Sequence, residues 1–154
     1  MPGILFQLIW AILRLLTGKR MLKLNQKLRN DNWGSGSFGA ARGNRAHNGI
    51  DISTRPGEEV YAPLAMYVER KSKANSRTAT EGIRFIPRSL SDGTHGYIWY
   101  FKPYESVIGQ NVEEGTPIGV AQDIASEYGE GMQNHVHIEQ WAGDKAINIE
   151  STYV

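Results

Sequence analysis

From residue 47 on, the chain is built of short apolar stretches divided by strong turn formers, the pattern of short strands with turns between them. The stretches are 48–53, 59–71, 81–88, 96–102, 116–121 and 135–141. They are rich in β-branched and aromatic residues, which suit a pleated, half-buried surface. Between them stand Arg55-Pro56-Gly57, Ser91-Asp92-Gly93 and Glu114-Gly115, which end strands and reverse the chain. Only segment 123–131 has room for a short helical turn. This spacing predicts an all-β, antiparallel domain over residues 30–154, entered through the Gly-, Asn- and Ser-rich loop 30–46.

Residues 1–29 read differently. Segment 3–18, GILFQLIWAILRLLTG, is apolar except for Gln7, Arg14 and Thr17. It is shorter than the roughly 20 residues that a helical bilayer span needs. Gln7 and Arg14 share one helical face, so the segment reads as an apolar, amphipathic helix. Such a helix lies in a membrane interface, anchors the chain to a membrane or virion partner, or packs on the domain or a second subunit. A cleaved signal peptide fits poorly, because no positive residue precedes the apolar run. Residues 14–29 carry six Lys and Arg and no acid. They form either an anion-facing end or a solvated basic linker. The whole chain is nearly neutral, at +1, which gives no reason to expect a nucleic-acid partner. With no cysteine, disulfides and thiolate metal sites are both excluded.

The four histidines, 47, 95, 135 and 137, concentrate the chemistry. His135-Val136-His137 sits in an apolar stretch, and on a strand its two imidazoles point the same way, about 7 Å apart. Val136 and Ile138 then face the core. His47 ends the glycine-rich loop, and Asp51 follows four residues later; the two converge if the chain bends at Asn48-Gly49. Two histidines and an aspartate, with a further histidine to spare, are the donor types of a catalytic zinc site, which keeps a position open for water. His95 lies in Asp92-Gly93-Thr94-His95-Gly96 and reads as an exposed turn histidine. Glu139 reads as a surface acid on the face of His135 and His137. Arg42 and Arg45 flank the entry to the His47 loop, either to hold a substrate carboxylate or to anchor the loop to Asp51. Asn134 is placed to orient a histidine or the substrate, and Trp33, Phe38 and Tyr128 either line a groove or cover the core.

Four motifs in order, His47-x-Gly49-x-Asp51, Gly57-x-x-Val60-x-Ala62-Pro63, Gly109-x-x-Val112-x-x-Gly115-x-x-Ile118-Gly119 and His135-x-His137-x-Glu139, resemble the M23 (LytM/lysostaphin-type) zinc metallopeptidases over about residues 34–150. Arg42-Gly43-x-Arg45-x-His47, Tyr100-x-Lys102-Pro103 and His135-Val-His137-Ile-Glu139 are similar to the chemotaxin-like branch of that family and to its small phage and bacterial members. The resemblance implies the antiparallel β domain of the family (the duplicated hybrid motif type), with one zinc ion in a groove on His47, Asp51 and His137, and with His135 as the catalytic histidine. It implies a peptidoglycan peptide as substrate, and a lytic protein of a virion or cell envelope. Hydrolytic members carry a second catalytic histidine in a Tyr-x-His-Leu strand. Here that strand reads Trp99-Tyr100-Phe101-Lys102-Pro103, which places Lys102, or Phe101 with a shift of one, at the histidine position. Lys102 or Tyr100 is then the candidate oxyanion donor. The same departure opens two other expectations: a non-hydrolytic zinc-binding module that recognises cell wall or a protein, and a structural virion or envelope component.

Overall fold

The eight residues HVHIEQWA, alternating in character, run as one strand through the middle of the largest sheet in the computed structural model. The structure describes residues 3–5, 8, 9, 12, 27–89 and 93–153. Its strands are β1 (Asn30–Asp31), β2 (Gly34–Ser35), β3 (Ala41–Arg42), β4 (Arg45–Ala46), β5 (Ile50–Ser53), β6 (Glu59–Tyr61), β7 (Met66–Ser72), β8 (Gly82–Pro87), β9 (Thr94–Trp99), β10 (Phe101–Pro103), β11 (Asn111–Val112), β12 (Pro117–Ala121), β13 (His135–Ala142) and β14 (Lys145–Ala146). Among the described residues from 27 to 153, helix is confined to a 3-10 turn at Glu105–Val107 and to single turns α1 (Ala125–Tyr128) and α2 (Glu150–Tyr153). The domain is therefore all-β, as its sequence predicts, and every strand pairing described is antiparallel.

The main sheet has the order β11-β7-β8-β9-β13-β14, with β5 pairing the first half of β13. A smaller sheet, β10-β12-β6, belongs to the same hydrophobic cluster. Alternation decides which face each residue takes. Val136 and Ile138 of β13 join Ile50, Ile52, Phe85 and Ile98 in the core. The one polar side chain of that series, Gln140, donates to the Tyr153 hydroxyl at 2.9 Å. Residues 135, 137, 139 and 141 are left facing the other side, together with Tyr97 and Trp99 of β9.

Two stretches that read as single strands are each broken between the sheets. Segment 59–71 divides into β6 and β7 at Ala62–Ala65, where Pro63 lacks the N–H a ladder needs. Segment 96–102 divides into β9 and β10 at Tyr100, the one described non-glycine residue with positive φ, at 73°. β9 also begins two residues earlier than its sequence suggests. His95 therefore sits in a strand, half-buried and edge-on to Tyr97 at 5.8 Å, and not in an exposed turn.

The expected helix over 3–18 and the basic stretch after it lie largely outside the described residues. Of those described, Ile4, Leu5, Leu8, Ile9 and Ile12 are exposed. Among the described residues no helix is long and apolar enough to cross a membrane. Residues 27–29 run beside β5: Leu28 bridges Ile52, Ser53 N–H donates to Lys27 O at 2.8 Å, and Arg29 N–H donates to Asp51 O at 2.8 Å.

Gly49 carries the chain from the His47 loop into β5 against the edge of β13. A Cβ there would lie 2.2 Å from the Ile138 carbonyl and 3.0 Å from a His137 ring carbon. Both neighbours are fixed by the sheet, so the backbone must move. Gly49→Ala is expected to destabilise the fold by about 3 kcal/mol, read from the midpoint of urea unfolding.

Candidate metal centre

The registers of three strands build the site. Across β13, His137 is paired with Asp51 of β5 on one side and Trp99 of β9 on the other. His135 lies two residues earlier on the same face. His47 enters from the loop after β4, its backbone N–H held by Ala40 O at 2.8 Å. The ligand atoms of His47, Asp51 and His137 come within 4.8 Å of one another, and all three residues are buried. His137 Nδ1 is 2.9 Å from Asp51 Oδ1, His47 Nε2 is 3.2 Å from the same oxygen, and the two ring nitrogens are 3.1 Å apart.

The far side of each ring shows what the near side holds. His47 Nδ1 is 2.9 Å from Ser37 O, a carbonyl that only accepts, so this nitrogen carries the proton. His137 Nε2 is 3.1 Å from Glu139 Oε2, and it likewise donates. In the neutral rings, His47 Nε2 and His137 Nδ1 are then bare lone pairs turned on each other and on a carboxylate oxygen. Three acceptors at these distances repel unless a cation sits among them. Donors at about 2.0–2.1 Å from a tetrahedral zinc stand on the order of 3.3 Å apart, slightly wider than the 2.9–3.2 Å seen. Two imidazoles and one carboxylate are also a suitable zinc donor set. The protonation behaviour agrees. Burial would raise the Asp51 carboxyl, yet its close contacts with His137 and His47 hold it far below the usual carboxylate range, as a positive charge on their side of it does. Burial works against an imidazolium at His137, yet Asp51 and Glu139 raise its pKa above the ordinary value. The cluster demands a positive charge, supplied by a proton or by a metal ion.

Asp51 gives one oxygen to the histidines and the other to arginine. Its Oδ2 accepts from Arg29 Nε and from an Arg42 terminal nitrogen, each at 3.1 Å. Arg42 also donates to Ser35 O at 2.7 Å. Arg42 is thus an anchor of the loop, one of its two readings in the sequence. Arg29 belongs to the basic stretch that the sequence offers as an anion-facing end or a solvated linker, and the structure corrects the solvated reading for this residue: it is only 3% exposed and is also bonded to Asp31 at 2.9 Å. No local pattern in the sequence ties residue 29 to residue 51.

Beside the cluster opens a cavity of about 390 Å³, lined among others by Arg45, Trp99, Tyr100, Tyr128, His135 and Trp141. His135 Nδ1 donates to Gln133 O at 2.8 Å, which leaves Nε2 as a lone pair 3.7 Å from Asp51 Oδ1. Burial pushes the His135 pKa below its usual value. Tyr100 stands edge-on to that ring at 5.2 Å. Burial, and then a hydrogen bond with Tyr128, push its phenol above the usual range. Lys102 is exposed on β10, paired with Val120, and does not line this cavity; Phe101 is fully buried in the core. Of the two oxyanion candidates in the sequence, Tyr100 lines the cavity beside His135 and Lys102 does not, the chain turning at residue 100 with its positive φ. Asn134 points its Oδ1 at the amides of Ile124 and Ala125, at 2.8 and 3.0 Å, and so fixes the start of α1. Glu139 is buried, not a surface acid. Of the three loop aromatics, Tyr128 lines the cavity, Phe38 packs on the core and Trp33 is exposed.

The model of Peptidase family M23 matches residues 45–149. Leukocyte cell-derived chemotaxin-2 of Mus musculus is 31% identical over 111 residues, 71% of this chain and 69% of the relative. Its Bos taurus counterpart is 28% identical over 114 residues, with the same shares. Among solved structures, the catalytic domain of the antimicrobial peptidase lysostaphin from Staphylococcus simulans aligns with a TM-score of 0.57 at 17% identity, covering 80% of this chain and 91% of that one. LytU aligns with a TM-score of 0.60 at 18% identity, covering 84% and 89%. A zinc containing peptidase from Vibrio cholerae aligns with a TM-score of 0.56 at 20% identity, covering 79% and 36%. At these identities the structural likeness is one of fold.

The arginine clamp carries its own expectation. Arg29→Met leaves Asp31 without its guanidinium and Asp51 with only Arg42. It is expected to cost about 3 kcal/mol of stability, as for other broken buried pairs, measured by urea unfolding of the metal-free protein.

Proposed function

Because this chain belongs to peptidase family M23, we propose that it is a zinc-dependent endopeptidase that cuts the peptides of bacterial cell-wall peptidoglycan. The observation that carries the reading is the triangle of His47 Nε2, Asp51 Oδ1 and His137 Nδ1, a carboxylate oxygen and two imidazole nitrogens whose ring protons are committed on the far side of each ring. A zinc ion held there supplies Lewis acidity towards a peptide carbonyl and acidifies water. The chain's own groups do the rest. His135 offers a neutral Nε2 to the cavity, accepts the proton of the attacking water and returns it to the leaving amine. Tyr100, kept protonated by its burial, donates its O–H to the developing oxyanion. Arg45, exposed at the cavity wall, takes a substrate carboxylate.

Tyr100 also favours a second reading, a zinc-binding module that recognises its target without cutting it. The sequence has no histidine in the strand where hydrolytic members of the resembling family carry one, and the relatives matched include leukocyte cell-derived chemotaxin-2. Incubation of the zinc-loaded chain with cross-linked peptidoglycan separates the two. The hydrolase reading expects new amino groups, abolished by chelator. It expects His135→Ala to lower the rate by about 10²–10⁴ with the zinc content unchanged. Absence of release from the parent, with release from Tyr100→His, establishes the module reading. Release that ignores chelator overturns both.

A further inference from the structure

We propose that Glu139 and Trp141 are positioning residues of the metal site. They select which nitrogen of His137 faces the ion and strengthen that nitrogen as a donor, an inference that rests on the metal-site reading above. Residues 137, 139 and 141 alternate onto the same face of β13. A carboxylate buried there is costly unless both oxygens find donors, and both do. Glu139 Oε2 accepts His137 Nε2–H at 3.1 Å, and Oε1 accepts the Trp141 indole N–H at 2.9 Å. The first bond commits Nε2 and leaves Nδ1 as the ligand atom. The second holds the carboxylate in the plane the first requires. The His137 ring is also fixed out of plane, because Trp99 stacks on it at 5.3 Å and 14°, and the Trp99 indole N–H reaches Ser72 Oγ at 3.3 Å.

The three histidines of the site differ in this respect. His47 and His135 give their single ring N–H to neutral backbone carbonyls, Ser37 O and Gln133 O. Only His137 has a charged partner, and a ligand imidazole that donates to a carboxylate becomes a stronger base. Meanwhile two arginines draw on the charge of Asp51 from its Oδ2. Part of the negative charge that favours the metal therefore reaches it through His137, from Glu139. Trp141 completes the chain, for without its N–H the buried Oε1 has no described donor.

The test is zinc affinity, measured by chelator competition on the parent, Glu139→Gln, Trp141→Phe and His137→Ala, with Trp33→Phe as control. Trp33 also donates an indole N–H, to Glu130 O, and does not line the cavity. The expected order is parent and Trp33→Phe tightest, Trp141→Phe weaker by at least about threefold, and Glu139→Gln weaker by about 10–100-fold, with His137→Ala not binding. A role confined to packing would lower the melting temperature of the metal-free protein and leave the metal alone. Trp141→Phe strips a donor from a buried carboxylate and so lowers that melting temperature as well, and the metal separates the two roles: we expect this variant also to bind zinc more weakly and to shift the visible absorption bands of the cobalt-substituted protein. Trp141→Phe and Glu139→Gln binding zinc as tightly as the parent, with the parent's cobalt spectrum, overturns the proposal while leaving the metal site intact. A parent that binds no zinc overturns both.

Discussion

The Asp51 carboxylate ties together segments that lie far apart in the chain. Its Oδ2 accepts from Arg29 and Arg42, and its Oδ1 faces His47, His135 and His137. A charge so deeply buried is tolerated only where every lone pair has a partner. That requirement brings residues 27–29 against β5, fastens the Arg42 hairpin over the loop, and sets the register of β5 on β13. The same two-sidedness creates the chemistry. Arginines hold one oxygen so that the other meets only imidazoles, and those imidazoles have placed their protons outward. The site is thus a consequence of how the fold satisfies one acid.

Strand pairing explains why so small a part of the chain suffices. Asp51, His137 and Trp99 occupy one row across three adjacent strands. Their side chains stand on the face that alternation leaves free once Val136, Ile138, Ile50, Ile52 and Ile98 have gone to the core. The core and the site are two faces of the same ladder. A register slip of one residue would send the histidines inward and the isoleucines out. The hydrophobic pattern therefore specifies the metal cluster as firmly as it specifies the core.

This is also why some features were legible in the sequence and others were not. The β class, the shared face of His135 and His137 and the core placement of Val136 and Ile138 follow from local alternation. The approach of His47 to Asp51 was readable as a bend at Asn48-Gly49, and the structure adds that Gly49 passes close against the Ile138 carbonyl of β13. The burial of Glu139 was hidden, since an acid on a free strand face is ordinarily solvated and its donor, Trp141, gives no local sign of reaching back. Arg29 was hidden because its partner lies 22 residues away, across a pairing with β5 made by an irregular arm. The division of 96–102 was hidden because nothing local announces a tyrosine at positive φ.

That tyrosine joins the fold to the question of activity. A bulky residue at φ of 73° costs on the order of 1–3 kcal/mol, and the surroundings hold it there. Tyr100 N–H donates to Glu81 O at 2.8 Å, and Gln122 N–H donates to Tyr100 O at 3.0 Å, one bond from each flanking segment. The kink moves the chain from the main sheet to the smaller one, and in doing so it swings the ring against His135. The group placed there must be understood by what it can give. A phenol whose pKa burial has raised keeps its proton, so it can donate a hydrogen bond to a developing oxyanion but cannot bring a positive charge to it. A protonated imidazole does both. The fold thus presents three metal-ligating groups and the His135 imidazole beside a neutral donor, and on the hydrolase reading proposed above the rate would turn on how much of the oxyanion's charge the metal ion meets alone.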